Sequence, residues 1–147
     1  MSEPVETFKN VFNRLDRTSL HLLDELYADG VEFRDPIHHI RGLSRLREYF
    51  AQQYEGVVRS RFVFEDEVIQ GQRAMLTWTM HLEHRRFAAG QVIQLPGASY
   101  IRFTPKVVYH CDYFDLGAFV YERIPILGGV IRFLKGQFPG AGLGHGE

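Results

Sequence analysis

The run Tyr109-His110-Cys111-Asp112-Tyr113-Phe114-Asp115 gathers an imidazole, a thiol, two carboxylates and three aromatic rings into seven residues. Read as a strand, it puts His110, Asp112 and Phe114 on one face and Tyr109, Cys111, Tyr113 and Asp115 on the other, because successive strand side chains point to opposite sides. One face therefore joins a proton carrier to a carboxylate. Whether that face looks into a pocket or into water decides what the pair can do.

Upstream of this run the apolar pattern alternates with a period of two. Arg61 to Ile69, Arg73 to Arg85, Gln91 to Phe103 and Lys106 to Asp115 read as four strands, linked by Gly71-Gln72, by Arg86 to Gly90 and by Thr104-Pro105. Links this short make an antiparallel meander. Pro96-Gly97 inside the third strand predicts a bulge or bend, since proline donates nothing to a ladder. Trp78 lies on an apolar strand face with Leu76, Met80 and Leu82, a face that reads first as core and second as a ligand wall.

Further upstream the period changes to that of a helix. Val5, Phe8, Val11, Phe12 and Leu15 mark a first amphipathic helix over Pro4 to Arg17, and Leu20, Leu23, Leu26 and Tyr27 a second, from Thr18 or Ser19 to Asp29-Gly30. Val31 to Arg34 is extended, Pro36 to Arg41 is a loop holding His38 and His39, and Gly42 opens a third helix through Gln53. Downstream, Leu116 to Arg123 and the stripe Leu127, Val130, Ile131, Leu134 and Phe138 predict a C-terminal helix broken at Pro125. Residues 140–147 form a flexible glycine-rich tail beyond a single domain over 1–139. Helices segregated from an antiparallel meander give an α+β layer structure: three N-terminal helices against a strongly curved sheet, making a cone whose open end suits a small apolar ligand.

Composition removes other classes. With 17 basic and 18 acidic residues in 147, no basic footprint for nucleic acid exists. The single Cys111 excludes an internal disulfide and a multi-cysteine metal site, as fits a cytoplasmic protein. No apolar run has the length of a signal core or a membrane span.

Tyr27-Ala28-Asp29, then Phe33-Arg34-Asp35-Pro36, and again Tyr113-Phe114-Asp115 resemble the nuclear-transport-factor-2-like superfamily, the cone fold of ketosteroid isomerases and SnoaL-like polyketide cyclases. The resemblance covers Val5 to Asp115. The run from Val108 to Asp115 followed by Pro125-Ile126-Leu127-Gly128 looks closer still to a bacterial SnoaL-like branch. It implies that Asp35 falls where isomerases hold their general base, and that Val11 and Ser99 stand where those enzymes place their two oxyanion donors. Valine donates nothing and a serine hydroxyl is far less acidic than a phenol, so steroid isomerisation is not the expected reaction. The resemblance further implies that Ser99, Ile101, Phe103, His110, Asp112 and Phe114 face inward.

The candidate catalytic residues are thus Asp35, His110 and Asp112, with His38, Trp78, Ser99, Ile101, Phe103 and Phe114 as candidate ligand contacts. The expected chemistry is isomerase- or cyclase-like: Asp112 or Asp35 abstracts a proton next to a carbonyl and His110 returns one, a scheme that needs no cofactor when the carboxylate is desolvated. His38 and His39 are adjacent and lack metal-ligand spacing, so no metal is expected. The other reading is a non-catalytic module of the same fold that binds a small ligand, or forms a homodimer through the sheet by Tyr109, Cys111 and Tyr113.

Overall fold

The computed structural model describes residues 3–86, 91–115 and 117. The expected C-terminal helix, the glycine-rich tail and most of the Arg86 to Gly90 link lie outside them. Helix α1 (Glu3–Arg14) carries Glu3 and Glu6 in its first turn and Arg14 in its last, matching the helix dipole. Its Val5, Phe8, Val11 and Phe12 are buried, each worth roughly 1.5–3 kcal/mol as apolar surface leaves water. Asn13 docks its end on the sheet: Nδ2 donates to the carbonyl of Phe62 at 3.1 Å and the Phe62 N–H donates back to Oδ1 at 2.9 Å.

The second helix is shorter than expected. A 3₁₀ turn (Leu20–Leu22) leads into α2 (Leu23–Leu26), and Tyr27 leaves the helical region at φ −102°, ψ 143°. Strand β1 (Tyr27–Arg34) takes over the residues expected to finish the helix. The loop expected over Pro36 to Arg41 is also partly strand. His39–Arg41 forms β2, antiparallel to β1, and Asp35 to His38 is the turn of a tight hairpin. Both corrections have one cause. Long-range pairing with a neighbouring strand overrides the local helical period.

Helix α3 (Leu43–Gln53) follows, burying Leu43, Leu46 and Phe50. The meander is then β3 (Val57–Gln70), β4 (Arg73–His84), β5 (Val92–Phe103) and β6 (Val107–Phe114). Gly71 at φ 59° makes the two-residue turn between β3 and β4, where Gln70 pairs with Arg73. The six strands form one open curved sheet in the order β2-β1-β6-β5-β4-β3. The sheet is mixed, since β1 runs parallel to β6, with Phe33 opposite His110.

No bulge interrupts β4 and β5 at Pro96-Gly97; Thr79 pairs with Pro96 and Trp78 with Gly97 in unbroken register. Pairing of β5 with β6 ends at Gly97 opposite Phe114, so Pro96 lies where β5 has one neighbour only, the place a sheet tolerates proline. The core lies between the concave face and the helices, built from Phe8, Phe12, Tyr27, Phe33, Leu46, Phe50, Leu76, Ile101 and others. Among the described residues no helix is long and apolar enough to cross a membrane.

Candidate active site

Alternation along β6 places His110 and Asp112 on the concave face, and β5 places Ser99 beside them as the pairing partner of Asp112. The three side chains join. Ser99 Oγ donates to Asp112 Oδ1 at 2.5 Å, and His110 Nε2 lies 2.6 Å from the same oxygen. An ionised carboxylate only accepts, so Nε2 carries the proton of that bond. Behind Ser99, the Trp78 Nε1–H donates to its oxygen at 2.9 Å. Behind His110, the Tyr27 hydroxyl lies 2.6 Å from Nδ1. Four side chains from β1, β4, β5 and β6 are thus linked to one carboxylate oxygen, Ser99 and His110 directly and Trp78 and Tyr27 through them.

The network is sealed at one end and open at the other. His110 is 1% exposed, its ring edge-on to Phe8, Phe12 and Phe33 at 5.1, 5.9 and 4.9 Å and stacked on Tyr27. The Asp112 side chain keeps 22% of its surface in solvent. Burial pushes the Tyr27 phenol well above its usual value of 10, and the Asp112 charge adds to the rise, so the phenol keeps its proton.

Asp35 organises a second cluster, in the β1–β2 turn. Its Oδ1 accepts from the Ile37 and His38 N–H groups at 2.8 and 2.7 Å, its Oδ2 from the Tyr49 hydroxyl at 2.6 Å, and His38 Nδ1 sits 3.2 Å away. Burial alone would raise this carboxyl, but the donors from His38, Tyr49 and Ile37 outweigh it and hold Asp35 below 3.8. The two clusters flank one ring: Phe33 lies 5.5 Å from Tyr49 and 4.9 Å from His110. His38 turns onto Asp35 and Tyr49, whereas His39 turns the other way onto Glu32 at 2.7 Å.

Of the remaining expected contacts, Ile101 and Phe103 are core residues, with Ile101 opposite His110. Val11 is buried at the α1 position discussed above, and Ser99 has its proton on Asp112. Phe114, at the end of β6, lines a groove of about 1150 Å³. That groove runs past Arg34, Tyr100, Arg102, Tyr109 and Tyr113, and its lining also includes Asp35 and Asp112. There the Arg102 guanidinium stacks on the Tyr109 ring at 4.3 Å.

Two functional residues escaped the sequence reading. Tyr27 was assigned to a helix end, and its partner is 83 positions away. Tyr49 sits beside the apolar stripe of α3, and only its place three residues after Leu46 hinted that it faces in.

The comparisons agree with this fold. The model of the SnoaL-like domain family matches residues 8–110, ending two positions before Asp112. No protein of curated function matches. Among solved structures, an LEH-like epoxide hydrolase from M. tuberculosis is similar at 15% identity and TM-score 0.68, over 87% of this chain and 92% of that one. A protein of ketosteroid isomerase-like fold from Catenulispora acidiphila, solved with trimethylamine, is similar at 12% identity and TM-score 0.72, over 84% and 94%. An NTF2-like protein of unknown function from Burkholderia pseudomallei is similar at 16% identity and TM-score 0.71, over 84% and 99%. At these identities the likeness is one of fold.

Proposed function

The chain belongs to the SnoaL-like domain family, and for this member of it we propose a cofactor-independent proton transfer on a small apolar carbonyl substrate, with Asp112 as the base. One observation carries the reading. Of the linked side chains, Asp112 alone reaches solvent appreciably, at 22%, while Tyr27, Trp78, Ser99 and His110 are buried. Its Oδ1 is held by Ser99 and His110, which leaves Oδ2 for a substrate.

In the proposed step a C–H bond next to the carbonyl breaks, its proton passes to Oδ2, and the electron pair moves onto the carbonyl oxygen as an enolate. Return of the proton from Oδ2 to another carbon completes an isomerisation; attack of the enolate carbon on a second carbonyl, with the resulting alkoxide taking the proton back from Oδ2, completes a cyclisation. His110 is too deeply enclosed to meet the substrate and acts through Asp112. Asp35 is the weaker candidate for base, since four donors already occupy its oxygens and the same donors favour its charged form. We assign it to fixing the β1–β2 turn, together with His38. Trp78, tied to Ser99, is the apolar wall nearest the carboxylate, and Ile101 and Phe103 lie beneath.

The test uses Asp112→Asn, which keeps shape and removes the base. Hydrogen–deuterium exchange next to the carbonyl, followed by NMR over a panel of small apolar ketones, is expected in the native protein and lost in the variant. Unchanged exchange in Asp112→Asn overturns the assignment.

A second reading has its own support. Phenylalanine rings fill the space around His110, whereas the groove past Tyr109 is open and Tyr113 beside it is 54% exposed. In that reading the chain is a non-catalytic module that pairs with a second copy through Tyr109 and Tyr113. Both readings suit a cytoplasmic protein with its one thiol reduced.

A further inference from the structure

We infer that Tyr27 is a positioning residue that fixes the tautomer of His110, keeping the imidazole neutral with its proton on Nε2. Its importance for turnover rests on Asp112 being the base; the tautomer itself does not.

The inference follows from counting protons in a place where both rings are buried. Asp112 accepts the hydrogen bond from Nε2–H, so the question is whether Nδ1 also carries a proton. The Tyr27 hydroxyl is buried, and among the described residues its one hydrogen-bond partner is Nδ1, at 2.6 Å. If Nδ1 bore a proton, the phenol oxygen would have to accept it, and the phenol's own hydrogen would be left among apolar groups with no acceptor. Buried donors are almost never left so. With Nδ1 unprotonated, every proton has a place: Tyr27 donates to Nδ1, Nε2 donates to Asp112, Ser99 donates to Asp112, and Trp78 donates to Ser99. The phenol cannot evade the role by ionising, because burial holds its proton on.

The surroundings make this a matter for Tyr27. Among the described residues, the titratable groups facing the His110 ring are Tyr27 and Asp112, and the other rings against it are Phe8, Phe12 and Phe33. Asp112 engages only the Nε2 side of the ring, at 2.6 Å. A donor already pointing at Nδ1 closes that position. The distinction matters because a neighbouring cation weakens a carboxylate as a base by roughly tenfold or more, whereas a neutral N–H donor orients it at less cost in basicity.

The experiment is ¹⁵N–¹H correlation of the histidine side chains in the full chain, with His110 assigned by its loss in His110→Gln. At neutral pH the native protein is expected to show a protonated Nε2 and an unprotonated Nδ1 for His110. A proton on Nδ1 overturns the inference, and no variant is needed to see it. In Tyr27→Phe, which keeps the ring stacked on His110, the nitrogen pattern is expected to change, because the donor that holds Nδ1 unprotonated is gone. The exchange rate should then fall by roughly tenfold with substrate KM little changed. An unaltered nitrogen pattern in Tyr27→Phe shows that Asp112 alone sets the tautomer and also overturns the inference. If neither protein exchanges any ketone, the acid–base reading fails, and the nitrogen pattern still decides the role of Tyr27.

Discussion

Replacing Gly97 by alanine should unseat Trp78 and with it the hydrogen bond that holds Ser99, one of the two donors to Asp112. Gly97 pairs with Trp78 across β4 and β5, and the indole lies over the bare backbone. A Cβ built there runs into Trp78 Cη2, comes within 2.7 Å of Cζ3 and lies 2.8 Å from the Tyr113 carbonyl oxygen. The carbonyl is fixed in the β5–β6 ladder, where Ala98 pairs with Tyr113, so the indole must give way. Overpacking of this kind costs about 1–3 kcal/mol, and losing the Trp78 to Ser99 bond adds about 0.5–1.5 kcal/mol. The smaller entropy of the unfolded alanine chain returns about 0.4–1 kcal/mol. The net destabilisation is roughly 0.5–4 kcal/mol, each kcal/mol lowering Tm by roughly 2–4 °C for a domain near 150 residues. Gly30→Ala is the control, because a Cβ there meets nothing within 4 Å. Urea unfolding followed by the emission of Trp78, the one tryptophan in the chain, reads stability and ring environment together. A Gly97→Ala midpoint equal to that of Gly30→Ala, with unshifted emission, would refute the reasoning.

The Asp35 carboxyl is held below its ordinary value of 3.8 in the fold, so its contribution to stability is present above that value and is lost as pH falls through the lower, folded one. Asp35→Asn should therefore be less stable than the native protein by about 1–3 kcal/mol at pH 7, with the gap narrowing in strong acid; urea midpoints showing the same gap at both pH values would contradict this. If the groove past Tyr109 pairs two copies, Tyr113→Arg should convert a dimer to a monomer in light scattering without altering the nitrogen pattern of His110. A native protein that is monomeric throughout would remove that pairing.

Much of the site could be read in the sequence because strand alternation is a strict code. Once β6 was recognised, His110 and Asp112 had to share a face, and the same parity on β5 put Ser99, Ile101 and Phe103 against them. The Val5 to Leu15 stripe likewise named the buried side of α1, all of it below 9% exposure. The readings that failed were at places where local and distant preferences compete. Leu23 to Tyr27 has helical spacing, yet Tyr27 is extended because Val107 pairs with it from across the sheet. His39–Arg41 is too short to show a period, and its strand character comes wholly from β1. Pro96 reads as a ladder breaker, and only the end of β6 at Phe114 shows why it is harmless. The role of Tyr27 was out of reach for the same reason, since nothing near it in sequence names its partner.

The parallel pairing of β1 with β6 also orders events in time. Tyr27 and His110 are 83 positions apart, and the strand that carries Asp112 is the last of the six. Closing so long a loop must precede any reward from the contact, and topologies dominated by distant pairings fold on the order of milliseconds to seconds. A nascent chain lacking β6 has helices, a hairpin and most of the meander, but no imidazole under Phe33 and no carboxylate beside Ser99. The His110–Asp112 pair therefore comes together only when β6 docks, and its nitrogen signature serves as a clock for that step.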